Sequence, residues 1–165
     1  MKQISPLELN ESAFRIIGKE WMLITAGGRD GFNTMTASWG ALGELWSRPA
    51  AFCFIRPHRH TFGFMERNSY FTLSFFAEQE RDALTLLGSK SGRDGDKVKE
   101  AGLTPVFGDS YTWFEEARLV LQCRKLYYQD LQPDNFVELS IKQECYPQRD
   151  YHRMYVGEVM QVLAA

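Results

Sequence analysis

The stretch AAFCFIRPHRHTFGFMERNSYFTLSFF, residues 50–76, contains two apolar runs separated by a polar turn and a helical segment. Residues 50–55 (AAFCFI) form a continuous apolar run, which is typical of a strand buried on both faces, and residues 70–76 (YFTLSFF) predict a second strand. Between them, residues 61–68 predict a short helix with Thr61 as its N-cap. The stretch therefore predicts two core strands joined by a basic turn and one short helix.

Strand patterns also dominate the rest of the 165-residue chain. Because these strands do not alternate regularly with helices, a doubly wound parallel sheet fits poorly. We predict a mainly β fold, a mostly antiparallel β-barrel with a few short helices, formed as a single domain by residues 1–165. The further predicted strands cover residues 21–26, 32–42, 115–126, 136–141 and 152–162, and the further predicted helices cover residues 6–17, 78–87 and 98–101.

The charge balance limits the kind of partner. The chain has 19 Lys and Arg residues against 21 Asp and Glu residues, a formal net charge of -2. This balance excludes a generally basic nucleic-acid coat. A nucleic-acid-binding barrel with Arg56 and Arg59 as its basic patch is an alternative, and the net charge argues against it. We therefore predict no nucleic-acid partner.

The cysteine pattern and the start of the chain exclude other classes. The three cysteines are widely spaced and form no CxxC pair, so neither a zinc ribbon nor a thiol redox motif is expected. The first residues, MKQISPLELN, contain no apolar segment of the secretory type, and no apolar run has the length of a membrane span. These patterns predict a cytoplasmic protein with no membrane association.

The densest polar segment is RPHRHT, residues 56–61, between a predicted buried strand and the start of a helix. Arg56 and Arg59 are three residues apart, so their guanidinium groups can converge on one anion, and such groups suit phosphate oxygens. Thr61 and the free amides at the helix start can complete the site. A solvated basic turn with an ordinary N-cap is the alternative interpretation.

Two further segments have the composition of a ligand site. In NTMTASWG, residues 33–40, small and hydroxyl-bearing residues let a flat ligand approach the backbone and offer hydrogen bonds to its edge. In SGRDGDK, residues 91–97, glycine lets backbone amides point at an anion while Ser and Lys add donors. A solvent-facing strand edge and a flexible polar loop are the alternative interpretations. The candidate residues are Asn33, Thr34, Met35, Thr36, Ala37, Ser38 and Trp39 in the first segment and Ser91, Gly92 and Lys97 in the second.

Familiar nucleotide-binding and hydrolase motifs are missing. No long helix follows the glycines at residues 27–31 as a GxGxxG motif requires, and residues 88–93 (GSKSGR) lack the GK[ST] of a Walker A loop. No HExxH sequence and no serine nucleophile elbow occurs. His58 and His60 form an HxH pair without a third ligand nearby in the sequence, so we predict no metal site.

Four segments taken together carry a family resemblance: NTMTASWG at 33–40, RPHRHT at 56–61, SGRDGDK at 91–97 and HRMYVGEV at 152–159. In this order and at about this spacing they resemble the flavin reductase-like family of FMN-binding split barrels, in particular its flavoredoxin-like branch. The resemblance implies a split barrel of mostly antiparallel, Greek-key type. It also implies a homodimer with one non-covalently bound FMN per subunit, at or near the dimer interface.

The resemblance also implies roles for the candidate residues. The residues from Asn33 to Trp39 would line the isoalloxazine ring and the ribityl chain, and His152 matches a histidine expected near the flavin or the nicotinamide, which makes it the candidate catalytic residue. The phosphate would be held by Arg56, Arg59 and Thr61 and closed over by Ser91, Gly92 and Lys97. The aromatic residues expected to border the flavin are Trp39 first, and then Tyr111, Trp113 and Phe114.

The chain departs from the family pattern at three positions. Arg153 stands where a smaller residue is expected after His152, and His58 and His60 stand in place of the expected Ser and Tyr. These departures bear on the choice of substrate more than on FMN binding.

The activity implied by the resemblance is that of an NAD(P)H-dependent flavin reductase, with hydride transfer to N5 of the flavin. The alternative is a flavoredoxin-like FMN electron-transfer protein that is reduced by a partner protein without significant NAD(P)H turnover. The two classes share these motifs, so the sequence does not decide between them. The choice between NADH and NADPH and the identity of the final electron acceptor also stay open at this point.

Overall fold

The computed structural model of the chain describes residues 1–165, which form ten strands and five short helices. None of the helices has both the length and the apolar character needed to cross a membrane. The strands are β1 (Lys2–Ile4), β2 (Met22–Gly28), β3 (Gly31–Ala37), β4 (Gly40–Leu45), β5 (Arg48–Ile55), β6 (Tyr70–Phe75), β7 (Pro105–Phe107), β8 (Thr112–Phe114), β9 (Leu119–Asp130) and β10 (Arg153–Ala164). The helices are α1 (Ala13–Arg15, extended by a π-helical turn at Ile16–Glu20), α2 (His60–Arg67), α3 (Arg81–Ser89), α4 (Lys97–Glu100) and α5 (Leu139–Cys145), with 3-10 turns at Pro6–Glu8, Glu78–Glu80 and Pro133–Asn135.

Eight of the strands form one antiparallel sheet. Seven of them follow the order β3-β2-β6-β9-β10-β5-β4, and β1 pairs with β10. Every strand pair is antiparallel, as between β6 and β9, where Phe71 lies opposite Cys123. The remaining strands, β7 and β8, form a separate hairpin. The prediction of a mainly β, mostly antiparallel fold with short helices is confirmed.

The sheet has to close on itself because its two edge strands are consecutive in the chain. β3 ends at Ala37 and β4 begins at Gly40, so only Ser38 and Trp39 connect them. Three Cα steps reach at most about 11 Å, whereas the edges of a flat seven-stranded sheet lie about 29 Å apart. The sheet therefore curls into a barrel that is split between β3 and β4.

Apolar side chains cover both faces of the central strands. In β2, Met22, Ile24 and Ala26 belong to a cluster of 19 buried residues, while Leu23 belongs to a second cluster of 10 that includes Leu84 of α3. A strand that is buried on both faces needs apolar residues at consecutive positions. This is why β2 has apolar residues at the consecutive positions 22–24 instead of an alternating pattern.

The prediction of a strand at residues 136–141 is wrong. The chain there lies outside the main sheet and forms α5 after a 3-10 turn. Glu138 caps this helix, since its carboxylate accepts a hydrogen bond of 3.1 Å from the backbone N–H of Ser140. The side chain of Val137 is 99% exposed. The apolar residues of this segment therefore do not mark a buried strand face.

Several predicted elements have different boundaries in the structure. The strand predicted at residues 115–126, for example, is β9, which covers Leu119–Asp130. The helix predicted at residues 6–17 is interrupted: Pro6–Glu8 form a 3-10 turn and the α-helix covers only Ala13–Arg15. Of residues 6–15, only Leu9 and Ala13 pack against the core, which is too little contact to stabilise one long helix. The strand predicted at residues 32–42 is broken by the link between β3 and β4. Helix α2 begins at His60 with Arg59 at its N-cap, so the predicted N-cap, Thr61, lies inside the first turn.

A glycine in β10 allows a close approach between two strands and a buried ring. The pairing of β10 with β9 shifts register between Val156 and Gly157, as in a β-bulge. A Cβ added at Gly157 would lie 2.5 Å from Cζ of Phe71 and 3.0 Å from Cβ of Cys123. Both neighbours are buried, so neither can move aside without repacking.

We expect Gly157→Ala to lower the free energy of unfolding by about 1–3 kcal/mol, because overpacking forces the Phe71 ring out of its position. Urea denaturation followed by circular dichroism measures this change. Gly43→Ala, in the exposed strand β4, is the control, since a Cβ at Gly43 meets no atom within 4 Å. Equal midpoints for the two variants would contradict the expected overpacking.

Candidate functional site

Two adjoining pockets lie along β3. The first, named here the cationic pocket, has a volume of about 230 Å³, and the second, the aromatic pocket, has a volume of about 200 Å³. Met35 and Arg59 line both, so the two pockets form one groove. The cationic pocket is lined by Asn33, Met35, His58, Arg59, His60, Thr61, Ser89, Lys90, Ser91, Gly92, Arg93 and Lys97. The aromatic pocket is lined by Met35, Thr36, Ala37, Ser38, Trp39, Phe54, Arg56, Arg59 and His152.

Positive charge dominates the cationic pocket. Arg59, Lys90, Arg93 and Lys97 line it, and no Asp or Glu does. Lys90 forms an ion pair with Glu100, with 2.6 Å between Nζ and Oε2. The other three cations form no salt bridge. Their uncompensated charge makes the pocket a suitable site for an anion.

Lys97 is the most buried of these cations, with 3% of its surface exposed. Its ammonium group donates hydrogen bonds to the carbonyl oxygens of Leu87, at 3.0 Å, and Lys90, at 3.1 Å. Burial, reinforced by the charge of Arg59, lowers the pKa of Lys97 to about 8. The ammonium has a third proton that these two bonds do not use. An anion in the pocket would accept a hydrogen bond from this third N–H, stabilise the charged ammonium and raise its pKa again.

The start of α2 adds backbone donors to the same pocket. The helix begins at His60, and the side chain of its N-cap residue, Arg59, makes no capping hydrogen bond. The first N–H groups of a helix have no acceptor within the helix and carry a partial positive charge. These backbone donors belong to the same segment as Arg59 and Thr61, which line the cationic pocket.

Asn33, Thr61 and Gly92 hold the three sequence segments of the pocket together. The side-chain amide of Asn33 donates a hydrogen bond of 2.7 Å to Oγ1 of Thr61. A Cβ added at Gly92 would lie only 2.1 Å from Oδ1 of Asn33. Any side chain at residue 92 would therefore displace the Asn33 amide from its present position. The structure thus brings together predicted site residues from residues 33–40, 56–61 and 91–97.

The two histidines of the basic turn have different surroundings. His60 lines the cationic pocket, where partial burial and the charges of Arg93 and Lys97 lower its pKa. Nδ1 of His58 lies 3.6 Å from Oδ2 of Asp150. The structure contains no group of three or more His, Cys, Asp or Glu side chains that could hold a metal ion.

His152 lines the aromatic pocket, with 8% of its surface exposed. Its Nδ1 atom lies 2.8 Å from the hydroxyl of Tyr146, and its ring centroid lies 5.0 Å from that of Trp39. Burial, together with the charge of Arg56, lowers the pKa of His152 to about 4. The imidazole is therefore neutral at physiological pH and acts as a hydrogen-bonding group, not as a cation.

Arg56 lies at the aromatic pocket and does not line the cationic pocket. Its guanidinium forms an ion pair with Asp150 and donates a hydrogen bond of 2.8 Å to the carbonyl oxygen of Cys145. It also lies 5.2 Å from the ring centroid of Tyr146. In this arrangement Arg56 fixes the segment that precedes β10, whereas Arg59 faces both pockets.

The side chains of β3 do not all offer polar groups to the groove. The hydroxyl of Thr34 is completely buried and is hydrogen-bonded to Thr25 Oγ1 at 2.8 Å, so it reaches neither pocket. Thr36 lines the aromatic pocket, but its hydroxyl donates to the carbonyl oxygen of Leu84. Met35, Ala37, Ser38 and Trp39 also line the groove.

The other aromatic candidates lie away from the groove. Tyr111 and Trp113 line a separate open cavity beside the β7–β8 hairpin, and Phe114 is completely buried in the second apolar cluster. The sequence reasoning did not single out Arg93 and Tyr146. Arg93 lies inside the SGRDGDK segment and could have been found there. No sequence pattern marks Tyr146, because only the fold brings it to His152.

A family model described as the flavin reductase like domain matches residues 14–165 of the chain. A comparison with curated protein sequences finds no match.

Several solved structures share the fold at low sequence identity. An FMN-binding protein from Thermus thermophilus, solved with p-hydroxybenzaldehyde, has a TM-score of 0.71 and 20% identity, over 100% of this chain and 82% of that one. Flavoredoxin of Desulfovibrio vulgaris has a TM-score of 0.68 and 19% identity, over 100% and 77%. An NADH:FAD oxidoreductase from Streptomyces globisporus has a TM-score of 0.67 and 15% identity, over 88% and 75%. Another neighbour is described as having a split barrel domain.

We expect the folded protein to lose stability as the pH falls from about 6.5 to about 4, in part through His152. The unfolded chain takes up a proton on this histidine near its ordinary pKa of 6.5, whereas the folded chain resists protonation until about 4. Protons therefore favour the unfolded state in this window. NMR titration of the His152 ring and urea midpoints measured across the window check this.

His152→Asn is the comparison variant, because its urea midpoint should fall less over the same pH range. A His152 titration midpoint near 6.5 in the folded wild-type protein would contradict the expectation.

Proposed function

We propose that this chain, which belongs to the family of flavin reductase-like domains, binds one FMN non-covalently in the groove and acts as an oxidoreductase. The observation that carries the proposal is the groove itself. A pocket with uncompensated positive charge continues into a pocket lined by aromatic and small side chains. The two ends of FMN match these two pockets, since one end carries a phosphate dianion and the other a flat ring.

The residues of the cationic pocket fit the phosphate of FMN. Arg59 and Lys97 would supply charge-assisted hydrogen bonds, and Thr61, Ser91 and the amides at the start of α2 would supply neutral ones. Without an anion, Lys97 is a buried cation whose only hydrogen-bond acceptors are backbone carbonyls. Such an arrangement is unfavourable unless a counter-charge is present.

The residues of the aromatic pocket fit a flat ring. Ala37 and Ser38 are small, so a ring can approach the backbone of β3 closely, and Trp39 and Phe54 offer flat or apolar surfaces. The chemistry that FMN supplies is the acceptance of a hydride at N5 and its onward transfer, which requires no side-chain nucleophile. The absence of a nucleophile motif from the sequence agrees with this chemistry.

NADH or NADPH is the reductant that we favour. His152 is neutral and lies in the wall of the aromatic pocket, so it can hydrogen-bond to the amide of a nicotinamide without adding charge to the site. One structural neighbour is described as an NADH:FAD oxidoreductase. Another is described as a flavoredoxin. A carrier that receives electrons from a partner protein is therefore the second candidate function.

We expect Arg59→Ala and Lys97→Met to weaken FMN binding at pH 7, each by about 10- to 150-fold. This range corresponds to the loss of one charged hydrogen bond of roughly 1.5–3 kcal/mol. Fluorescence titration of the apoprotein with FMN measures the affinity. Sedimentation of the same samples tests the homodimer that the family resemblance implies.

Lys99→Met is the matched control, since Lys99 lies in the same short helix as Lys97 but is exposed and does not line the pocket. It should bind FMN as the wild-type protein does. A wild-type protein that is colourless and does not bind added FMN would contradict the proposed function.

We expect the FMN-loaded protein to lose its yellow colour under anaerobic conditions when NADH or NADPH is added, and to turn over with excess flavin. The absorbance of oxidised flavin, recorded against time for each nucleotide, gives the rate and the preference. Stable FMN binding with negligible NAD(P)H oxidation would instead support the electron carrier.

A further inference from the structure

Tyr146 and His152 form a buried contact that the proposed function leaves unexplained. The hydroxyl oxygen of Tyr146 lies 2.8 Å from Nδ1 of His152, and the two ring planes are 80° apart. Tyr146 is 4% exposed. It does not line either pocket, whereas His152 lines the aromatic pocket. Tyr146 therefore contacts the groove only through residues that line the aromatic pocket: its hydroxyl contacts His152, and its ring lies beneath the Arg56 guanidinium.

The direction of this hydrogen bond follows from the surroundings of the Tyr146 hydroxyl. The partners of that hydroxyl are both on His152, namely Nδ1 and the backbone N–H, and since a backbone N–H can only donate, Nδ1 is the only acceptor that the phenol proton has. If Nδ1 carried a proton and donated it, the buried phenol proton would have no acceptor, which is unfavourable. The phenol therefore donates, Nδ1 accepts, and the proton of the neutral imidazole resides on Nε2.

Tyr146 is held in place from several directions. Its ring centroid lies 4.9 Å from that of Tyr151 and 5.6 Å from that of Phe136. The Arg56 guanidinium lies 5.2 Å from the ring centroid and is itself anchored to Asp150. Burial raises the pKa of Tyr146, so the phenol keeps its proton. The hydroxyl is thus a permanent donor in a fixed position.

We infer that Tyr146 is a positioning residue that fixes His152 in the tautomer with a proton on Nε2. This nitrogen is then the donor that His152 offers to the aromatic pocket. It would suit a substrate with an amide or carbonyl oxygen, such as the carboxamide of a nicotinamide. This assignment of the substrate rests on the proposed function, whereas the tautomer does not.

The tautomer can be read directly in the apoprotein. In protein labelled with ¹⁵N at histidine, two-bond ¹H–¹⁵N spectra at pH 7 should show His152 with a protonated Nε2 and a bare Nδ1. The His152→Asn spectrum identifies the resonances. In Tyr146→Phe, which removes only the hydroxyl, the His152 nitrogen shifts should move towards those of a mixture of both tautomers. Wild-type shifts in Tyr146→Phe would overturn the inference.

The consequence for the reaction can be measured on the FMN-loaded protein. Tyr146→Phe should slow flavin reduction by NADH or NADPH in anaerobic stopped flow by about two- to tenfold, as expected for one neutral hydrogen bond. FMN affinity should not change, because Tyr146 does not line the groove. An unchanged reduction rate in Tyr146→Phe would overturn the catalytic part of the inference.

Tyr151→Phe is the matched control. Tyr151 stacks on Tyr146, and its hydroxyl has no hydrogen-bond partner in the structure. This variant should leave both the nitrogen shifts and the reduction rate at wild-type values; an equal effect of both variants would overturn the inference. Failure of the wild-type protein to bind FMN would contradict the proposed function, while the nitrogen shifts would still decide the role of Tyr146.

Discussion

The short link between the two edges of the sheet is the constraint on which the rest of the structure depends. Ser38 and Trp39 are the only residues between β3 and β4, although these strands lie at opposite ends of a seven-strand path. A link of two residues is too short to span the edges of a flat seven-stranded sheet, so the sheet has to close into a barrel. The same closure brings the end of β3 beside Phe54 and His152, and these residues line the aromatic pocket. One link therefore determines both the barrel and one end of the groove.

The second organising feature is an uneven distribution of charge. The chain as a whole is slightly acidic, with a net charge of -2, yet Arg59, Arg93 and Lys97 line one pocket without a carboxylate. Burying Lys97 in this way lowers its pKa to about 8 and places a positive charge without a counter-charge in the pocket lining, which is unfavourable. The anionic ligand that we propose would remove this penalty, so that part of the folding free energy would be exchanged for binding affinity.

The fold could be predicted from the sequence wherever local pattern and burial agree. The strands at residues 50–55 and 70–76 are confirmed, because alternate residues of each belong to the 19-residue apolar cluster: Ala51, Cys53 and Ile55 in the first and Phe71, Leu73 and Phe75 in the second. The burial on both faces predicted for residues 50–55 is incomplete, since Phe52 and Phe54 are only half-buried. The strand predicted at residues 136–141 is wrong because the apolar residues there lie outside the barrel, with Val137 exposed. Apolar residues in a sequence indicate a buried face only if another element is available to cover it.

The sequence by itself determined which chemical groups the protein has available: a basic turn, a strand of small residues and a glycine-containing loop, each recognisable because its residue types have local physical preferences. Only the tertiary structure decided which of these groups face the groove. Arg56 and Arg59 are equivalent in the sequence, but the ion pair with Asp150 anchors Arg56 beside Tyr146 and leaves Arg59 in both pockets. Such pairings join residues that are distant in the chain, so local sequence preferences carry no information about them.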